Sequence, residues 1–379
     1  MPSLQHLADA AVARGVPGVL ALVAHGDRVE TAAAGVRSLG GSPMTADTIV
    51  RTASVTKPIV GALAMAVLER GDLALDDVAS RWLPELADLR VLRHPSAALD
   101  DVVPLQTPIA VRHLLTSTSG IGLVGDFAAP LMAAHAERLG QGADARARPA
   151  ADELLRRVGM LPLAHQPGAG WTYNTGMDVL GILLERVTGT PLDDLLRAMV
   201  LEPLGMVDTG FALRASQASR TATAHRRGTD GAAPDEVDTP AMLLDDPPVL
   251  ASAAGGLLST AADLLRFWRM LAGGGALDGV RVLSEASVRT MRSPLVTAEP
   301  GNPFLDDQAW GVGGAVDVAP AEPFHAVGRY GWIGSWGTAT YLLPGGTIGI
   351  WLSQLEFASP EDMGLVGDFL VEVARRDRA

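Results

Sequence analysis

Residues 51–62 read Arg-Thr-Ala-Ser-Val-Thr-Lys-Pro-Ile-Val-Gly-Ala and contain the only lysine of the 379-residue chain. The apolar run from Ile59 to Leu68 predicts a helix, and Ser54 and Lys57 share one face of its first turn at a spacing of i, i+3. Pro58 is compatible with that turn, because first-turn N–H groups have no partner within the helix. Ser-x-x-Lys is the pattern in which an amine activates a serine hydroxyl.

Physical reasons favour a catalytic use of this pair. A serine at a helix start lies in the positive end of the helix dipole, which stabilises a developing oxyanion. Burial and the same field favour the neutral form of Lys57, and only a neutral amine accepts a proton. Arginine does not deprotonate in proteins, which would explain one lysine among many arginines. The alternative is chance, because a serine and a lysine can fall three residues apart without function.

The composition excludes several classes of protein. The formal net charge of −13 argues against nucleic-acid binding, and the absence of cysteine excludes disulfides, thiolate catalysis and Cys-ligated metal. The eight histidines show no metal-ligand spacing, so we expect no metal and no cofactor. The N-terminal residues lack the segments of a signal peptide, and no apolar run reaches transmembrane length. We therefore expect a soluble cytoplasmic protein that does not bind membranes.

The order of predicted elements indicates an α+β fold. Residues 4–13 predict a helix and residues 18–34 a β-hairpin. The last quarter predicts four strands and a closing helix, at 310–316, 324–330, 337–343, 347–352 and 361–375. Strands at both ends predict one antiparallel sheet made from the two termini, flanked by N- and C-terminal helices, with a mostly helical domain inserted.

The same pattern predicts where the domains divide. Residues 1–70 together with 250–379 form the predicted α/β sheet domain. Residues 71–249 form the inserted helical domain. The active site is expected in the cleft between them.

A second candidate stretch is 167–176, Pro-Gly-Ala-Gly-Trp-Thr-Tyr-Asn-Thr-Gly. A Tyr-Asn pair in a glycine-rich loop before a helix can offer a phenol and an amide to a pocket. The alternative is that Tyr173 packs under a loop and Asn174 caps the following helix.

A third candidate stretch is 328–337, Gly-Arg-Tyr-Gly-Trp-Ile-Gly-Ser-Trp-Gly. Its glycines allow a substrate to approach the backbone, and an edge strand can lend N–H groups to an oxyanion. Arg329 could hold an anion. The alternative is a glycine-rich strand pair with a surface arginine. Ile333, and not a glycine, stands two positions before Ser335, so no G-x-S-x-G nucleophile elbow is present.

Taken together, these stretches resemble the serine β-lactamase/penicillin-binding-protein superfamily. The resemblance is closest to the class C β-lactamase-like branch, which includes family VIII carboxylesterases, D-amino-acid peptidases and small-molecule acyltransferases. Residues 112–120, 202–206 and 254–261 also resemble that branch. The resemblance implies the β-lactamase/transpeptidase-like fold.

The resemblance also implies roles for individual residues. Ser54 would be the nucleophile, Lys57 its amine partner and Tyr173 the base. Backbone N–H groups of Ser54 and Trp332 would form the oxyanion hole. The residues expected to contact substrate are Asn174, Arg329, Tyr330 and Gly331, the last three standing where the family has Lys/His-Thr-Gly.

Two features depart from the family pattern. One residue usually separates the Tyr and Asn, whereas Tyr173 and Asn174 are adjacent, which leaves the geometry of that pair open. Tyr330 replaces a small Thr, and Trp332 adds an apolar wall, which predicts a narrower pocket than that of a β-lactamase. The Ser-Asp-Asn pattern of class A is not found.

The leading interpretation is a serine hydrolase that cleaves small esters or amides through an acyl-enzyme on Ser54. An acyltransferase and a D-amino-acid peptidase are alternatives that use the same chemistry. A non-catalytic binding homologue is an alternative of another class, although retention of the sole lysine argues against it. The expected partner is a small-molecule ester or amide, and the sequence does not predict the oligomeric state.

Overall fold

The computed structural model describes residues 3–141, 145–228, 234–297, 302–305, 308–320, 323–357 and 360–378. The α-helices are α1 Leu4–Ala13, α2 Thr56–Arg70, α3 Val111–Leu115, α4 Pro130–Leu139, α5 Ala151–Val158, α6 Thr175–Thr188, α7 Leu192–Leu196, α8 Glu202–Leu204, α9 Pro240–Asp245, α10 Ala261–Ala272, α11 Glu285–Met291 and α12 Pro360–Asp377. The strands are β1 Gly18–His25, β2 Arg28–Gly35, β3 Val50–Arg51, β4 Arg90–Leu92, β5 Val102–Pro104, β6 Ala224–Arg226, β7 Asp235–Asp238, β8 Leu258–Ser259, β9 Ala276–Leu277, β10 Val280–Arg281, β11 Val296–Thr297, β12 Ala309–Trp310, β13 Ala315–Val316, β14 Tyr330–Gly334, β15 Thr338–Leu342 and β16 Ile348–Ser353.

One antiparallel sheet of eight strands organises the molecule, in the order β11-β12-β13-β14-β15-β16-β1-β2. The N-terminal hairpin β1–β2 adds to the sheet through β1, which pairs with β16 from Val19↔Ser353 to Ala24↔Ile348. The sheet is therefore built from both ends of the chain. This confirms the predicted fold class.

The two terminal helices cover one face of the sheet. Their apolar faces share a buried cluster with side chains of β1, β15 and β16, including Leu4, Val19, Tyr341, Trp351 and Phe369. The alternation of β1 places Val19 on this face and Leu20 on the other, as a period of two requires. The helices flanking the sheet thus come from the N- and C-termini, as predicted.

The opposite face packs against α2 and α10, within the largest apolar cluster. Every residue of α2 from Thr56 to Val67 is buried, because the helix runs between the sheet and the other helices. Its N-terminal end lies against β14, and this contact brings Ser54 to the sheet.

Two predicted strands differ from the observed ones. The prediction of one strand at 310–316 is wrong, because Gly311 N–H donates to the Gly314 carbonyl and a turn separates β12 from β13. The prediction of a strand at 324–330 is also wrong, since β14 begins only at Tyr330. The Asp317 carboxylate accepts from Ala326 N–H and holds the preceding segment in turns.

The division into two domains stays a prediction. The largest cluster draws buried side chains from α2, from α6 and from α10, and so combines both predicted units in one core. None of the helices in the described ranges is long and apolar enough to cross a membrane.

Candidate active site

Ser54 lies in a single 3₁₀ turn, Ala53–Val55, that leads directly into α2. Ala53 has a φ of +46°, a left-handed conformation that costs a non-glycine residue roughly 1–3 kcal/mol. Thr52 holds this turn on both sides: its N–H donates to Leu257 O at 2.9 Å, and its carbonyl accepts from Thr338 Oγ1 at 2.8 Å. The strained residue therefore immediately precedes the candidate nucleophile and is fixed by the sheet.

The Lys57 amine is completely buried and lies among four acceptors. Nζ is 2.8 Å from Ser54 Oγ, 3.2 Å from Tyr173 OH and 2.9 Å from Asn174 Oδ1. It is also 2.6 Å from the carbonyl oxygen of Ala254. A neutral amine has two hydrogens and one lone pair, so it can donate to the carbonyl and the amide while its lone pair faces Ser54.

Burial lowers the pKa of Lys57 to about 7. The Asp178 carboxylate opposes this shift and the Arg148 guanidinium adds to it. Near neutral pH, about half of the Lys57 amines are therefore uncharged and able to accept a proton.

Asp178 organises the far side of the lysine. It is 1% exposed and accepts from Ser252 Oγ at 2.7 Å and from Ala254 N–H at 3.0 Å. It is also ion-paired with the buried Arg148. By holding Ala254, Asp178 fixes the carbonyl that contacts Lys57. Sequence reasoning did not identify Asp178, because nothing local marks an aspartate within α6 as functional.

Tyr173 receives a hydrogen bond that the sequence did not suggest. Trp332 Nε1–H donates to Tyr173 OH at 2.7 Å, and the two ring centroids are 5.8 Å apart. Trp171 and Phe304 pack against the same phenol ring, with centroids at 5.7 Å and 4.8 Å. Burial raises the pKa of Tyr173 to about 12, despite hydrogen bonds with Ser54 and Trp332 that lower it. The phenol is therefore protonated near neutral pH, and Lys57 is the group that titrates there.

An unusual backbone conformation accommodates the adjacent Tyr-Asn pair. Asn174 has φ 75° and ψ −79°, and both side chains thereby reach Lys57. Asn174 Nδ2 donates to Gln141 Oε1 at 2.7 Å, which turns Oδ1 toward the amine. Asn174 thus contacts the lysine directly and helps to hold it, and its predicted contact with substrate stays a prediction.

The structure does not bring Arg329 to Ser54. The guanidinium is 2% exposed and ion-paired with Asp317, with Nε–Oδ2 at 2.7 Å and Nη2–Oδ1 at 3.0 Å. Its Cζ lies 4.3 Å from the ring centroid of Tyr341, on the face of the sheet that α1 and α12 cover. Trp332 lies on the other face, with the catalytic candidates. The predicted role of Arg329 in substrate binding therefore requires correction.

Tyr330 and Gly331 are likewise placed in the sheet and not in a pocket. The Tyr330 hydroxyl donates to the Val312 carbonyl, and its ring packs against Trp268 in the core. A Cβ at Gly331 would lie 2.1 Å from Thr340 O, so packing between strands explains this glycine. The sequence-based alignment of the third stretch was wrong, since it placed core residues at substrate-binding positions.

The backbone of Trp332 is used by the sheet. Asp317 N–H donates to the Arg329 carbonyl at 3.0 Å, so the backbone groups of Arg329 point toward β13. Successive residues of an antiparallel strand point to opposite neighbours. The N–H of Trp332 therefore points toward β15, where Trp332 pairs with Thr340. It cannot serve as the predicted oxyanion donor, and the indole is the part of Trp332 that faces the site.

Residues 4–363 match the protein-family model described as Beta-lactamase. The chain belongs to the beta-lactamase family. The match spans nearly the whole chain and includes Ser54, Lys57 and Tyr173. It confirms the superfamily that the sequence motifs resemble.

Several proteins from the comparisons are similar to the chain. Protein Rv1367c of Mycobacterium tuberculosis (strain ATCC 25618 / H37Rv) is 39% identical over 311 residues, which cover 79% of this chain and 75% of the relative. Esterase EstB of Burkholderia gladioli is 42% identical over 202 residues, 52% of this chain and 48% of the relative. A solved structure described as "EstCE1, a hydrolase with promiscuous acyltransferase activity" superimposes with a TM-score of 0.76 at 27% identity, covering 97% of both chains.

The comparisons support an enzyme of the hydrolase or acyl-transferring kind within the beta-lactamase family. In this member, an indole and not a cation faces Tyr173 from β14. Among the described residues, no group of three or more His, Asp and Glu side chains could hold a metal ion.

Proposed function

We propose that the protein is a serine esterase that cleaves small neutral esters through an acyl-enzyme on Ser54. The observation that carries this proposal is the 2.8 Å contact between Ser54 Oγ and the buried amine of Lys57, whose pKa burial lowers to about 7. The similarity to Esterase EstB supports the same reaction class.

Acylation begins with the neutral Lys57 amine. Lys57 accepts the Ser54 proton as Oγ attacks the ester carbonyl carbon and forms a tetrahedral intermediate. Tyr173 OH, which hydrogen-bonds with both residues, passes the proton to the departing alkoxide. The C–O bond to the alcohol then breaks and the acyl group remains on Ser54. Water then attacks the acyl carbonyl on Ser54, the bond to Ser54 Oγ breaks, and the acid is released as Ser54 regains its proton.

We propose the N–H groups of Ser54 and Ser335 as the oxyanion hole. Ser335 follows Gly334, the last residue of β14, in the turn that leads to β15, and its carbonyl accepts from Phe357 N–H at 2.8 Å. Pairing with β13 ends at Ala315↔Gly331, which leaves this part of the edge open. A Cβ at Gly334 would lie 3.0 Å from Ala53 Cβ, so the strand passes beside the nucleophile turn.

The placement of Arg329 favours neutral esters over D-amino-acid peptides and β-lactams. Recognition of a free carboxylate benefits from a charge-assisted hydrogen bond, which is typically worth about 1.5–3 kcal/mol. Arg329 is paired with Asp317 on the other face of the sheet, and the indole of Trp332 faces Tyr173. The structure thus supports substrates without an anionic group.

Acyl transfer to an alcohol is a second candidate reaction. The phenol ring of Tyr173 packs against Trp171, Phe304 and Trp332, and an organic acceptor would gain from contact with these apolar surfaces. EstCE1, whose solved structure resembles this chain, is described as a hydrolase with promiscuous acyltransferase activity. Product analysis with added short alcohols separates the two reactions, since a transferase forms a new ester.

Hydrolysis of p-nitrophenyl acetate tests the proposal. We expect steady release of p-nitrophenol by the parent, and a loss of at least about 10³-fold in kcat for Ser54→Ala. Ser42→Ala is the matched control, because Ser42 is an exposed serine outside the site. Equal rates for Ser54→Ala and the parent would contradict the proposed nucleophile.

A further inference from the structure

Asp178 and Arg148 form a buried ion pair close to the Lys57 amine. Asp178 belongs to α6, and Arg148 lies in the segment just before α5. Both side chains are buried, and Arg148 Nη2 donates to Asp178 Oδ2. The other carboxylate oxygen, Oδ1, accepts from Ser252 Oγ at 2.7 Å and from Ala254 N–H at 3.0 Å. The carboxylate therefore ties α6 and Arg148 to the segment whose carbonyl contacts Lys57.

The Ala254 carbonyl, which this anchor holds, helps to set the direction of the Lys57 amine. Nζ lies 2.6 Å from Ala254 O and 2.9 Å from Asn174 Oδ1. When the two N–H groups of the neutral amine donate to these oxygens, its lone pair is left for Ser54 Oγ at 2.8 Å. Both oxygens can also accept from the ammonium form, so neither contact has to break when Lys57 takes the Ser54 proton. Without this carbonyl, the amine could turn its lone pair away from Ser54.

The charge of Asp178 by itself would work against a neutral base. Burial is the main cause of the low pKa of Lys57, the Asp178 carboxylate opposes this shift, and the Arg148 guanidinium adds to it. Two other titratable side chains near the pair carry no charge at neutral pH. Burial raises the pKa of Tyr173 to about 12, and burial together with Arg148 lowers the pKa of His135 to about 4. Arg148 thus offsets the negative charge of the anchor.

We propose that Asp178 and Arg148 are a pair of positioning residues for the base Lys57. Asp178 holds the Ala254 carbonyl that orients the amine, and Arg148 cancels the negative charge that this anchor brings. Each partner needs the other, because a buried charge without a counter-charge is costly and would also act on Lys57. The proposal rests on the proposed esterase function and specifies how its base is oriented and kept neutral.

Lys57 is the only lysine of the chain, so its protonation can be measured without a substrate. In protein labelled at the lysine ε carbon, a single NMR signal follows the titration of Lys57. Asp178→Asn leaves the positive charge of Arg148 uncompensated, and the midpoint should fall by about one pH unit. Arg148→Met keeps a long side chain without charge, leaves the carboxylate uncompensated and should raise the midpoint by about as much. An ion pair that only stabilises the fold would not produce opposite shifts.

Two further variants keep the test informative, since loss of one partner of a buried ion pair can destabilise the fold. The double variant Asp178→Asn/Arg148→Met has no uncompensated charge, and its midpoint should return to within about half a pH unit of the parent value. Asp208→Asn breaks a partly buried ion pair with Arg220 that does not act on Lys57. This control should leave the midpoint unchanged.

Hydrolysis of p-nitrophenyl acetate gives a second readout. The midpoint of the kcat/KM profile should move in the same direction as the NMR midpoint in each variant. Asp178→Ala removes the acceptor of Ala254 N–H, which Asp178→Asn retains, so its kcat at high pH should be lower by about 3- to 30-fold. Midpoints that stay at the parent value, or that move in one direction in both single variants, would overturn the role of the pair. A parent without hydrolysis would overturn the esterase function, and the NMR titration would still decide whether both charges act on Lys57.

Discussion

The low pKa of the Lys57 amine gives a pH dependence that can be worked out from the structure. An ordinary lysine with a pKa near 10.4 is neutral in only about 0.04% of molecules at pH 7. Burial lowers the pKa of Lys57 to about 7, so roughly half of the molecules carry the neutral base. The environment thus increases the reactive fraction about 10³-fold, because each pKa unit is a factor of ten.

The assay is kcat/KM for p-nitrophenyl acetate between pH 5 and 9, corrected for spontaneous hydrolysis. Since the neutral amine is the active form, kcat/KM should rise about tenfold per pH unit below pH 7 and level off above it. Lys57→Arg keeps the positive charge but cannot deprotonate, so it should lose at least about 10³-fold in kcat, as Lys57→Ala does. A flat profile from pH 5 to 8.5, or a Lys57→Arg variant with most of its activity, would refute the assignment of Lys57 as the base.

Trp332→Phe removes the indole N–H that Tyr173 OH accepts at 2.7 Å, and kcat for p-nitrophenyl acetate should fall about 3- to 30-fold. The smaller ring also leaves buried space, so kcat is compared well below the lowered melting temperature of the variant, and an unchanged kcat would show that this hydrogen bond is not used. Ser335→Pro removes the proposed oxyanion N–H and should reduce kcat by about 10²–10³, whereas Ser335→Ala keeps the N–H and should stay active; similar rates for both variants would refute the donor. kcat/KM for the neutral ester should exceed that for nitrocefin by at least about tenfold, because Arg329 is paired with Asp317; faster nitrocefin turnover would contradict the substrate preference.

Much of the fold could be predicted from local patterns. The closeness of Ser54 and Lys57 could be predicted from their i, i+3 spacing, and the structure places Nζ and Oγ 2.8 Å apart, although Ser54 lies in the 3₁₀ turn before α2 and not in the helix itself. The hairpin of β1 and β2 and the helices at both termini have clear periodicities. The relation between them was also inferable, because an N-terminal hairpin with a β-rich C-terminal quarter has few other ways to pair.

The third stretch could not be placed correctly from sequence. Arg329 and Trp332 differ by an odd number of positions, so they occupy opposite faces of the sheet, and only pairing with β13 and β15 decides which face meets Ser54. The aromatic residue in this glycine-rich strand was the available signal, but its indole was predicted only as an apolar wall and not as the hydrogen-bond donor to Tyr173. An ion pair between Arg329 and Asp317 has no sequence signature.

Two contacts of Lys57 could not be predicted from the sequence either. Because Tyr173 and Asn174 are adjacent, the sequence did not predict whether both side chains could reach Lys57. The backbone angles of Asn174 allow this, and no local sequence pattern specifies them. The carbonyl of Ala254 reaches the amine only because Asp178, distant in the chain, holds that segment. Long-range hydrogen bonds of this kind are properties of the assembled core.

The covalent labelling of Ser54 tests the central claim most directly. The parent and Ser54→Ala are incubated with a fluorophosphonate, and intact mass and peptide mapping locate the adduct. The structure predicts one adduct per chain, on the peptide that contains Ser54, because the neutral Lys57 amine activates that hydroxyl. Ser42→Ala should be labelled as the parent is. An adduct that persists in Ser54→Ala, or that maps to another residue, would contradict the claim that this chain works through an acyl-enzyme on Ser54.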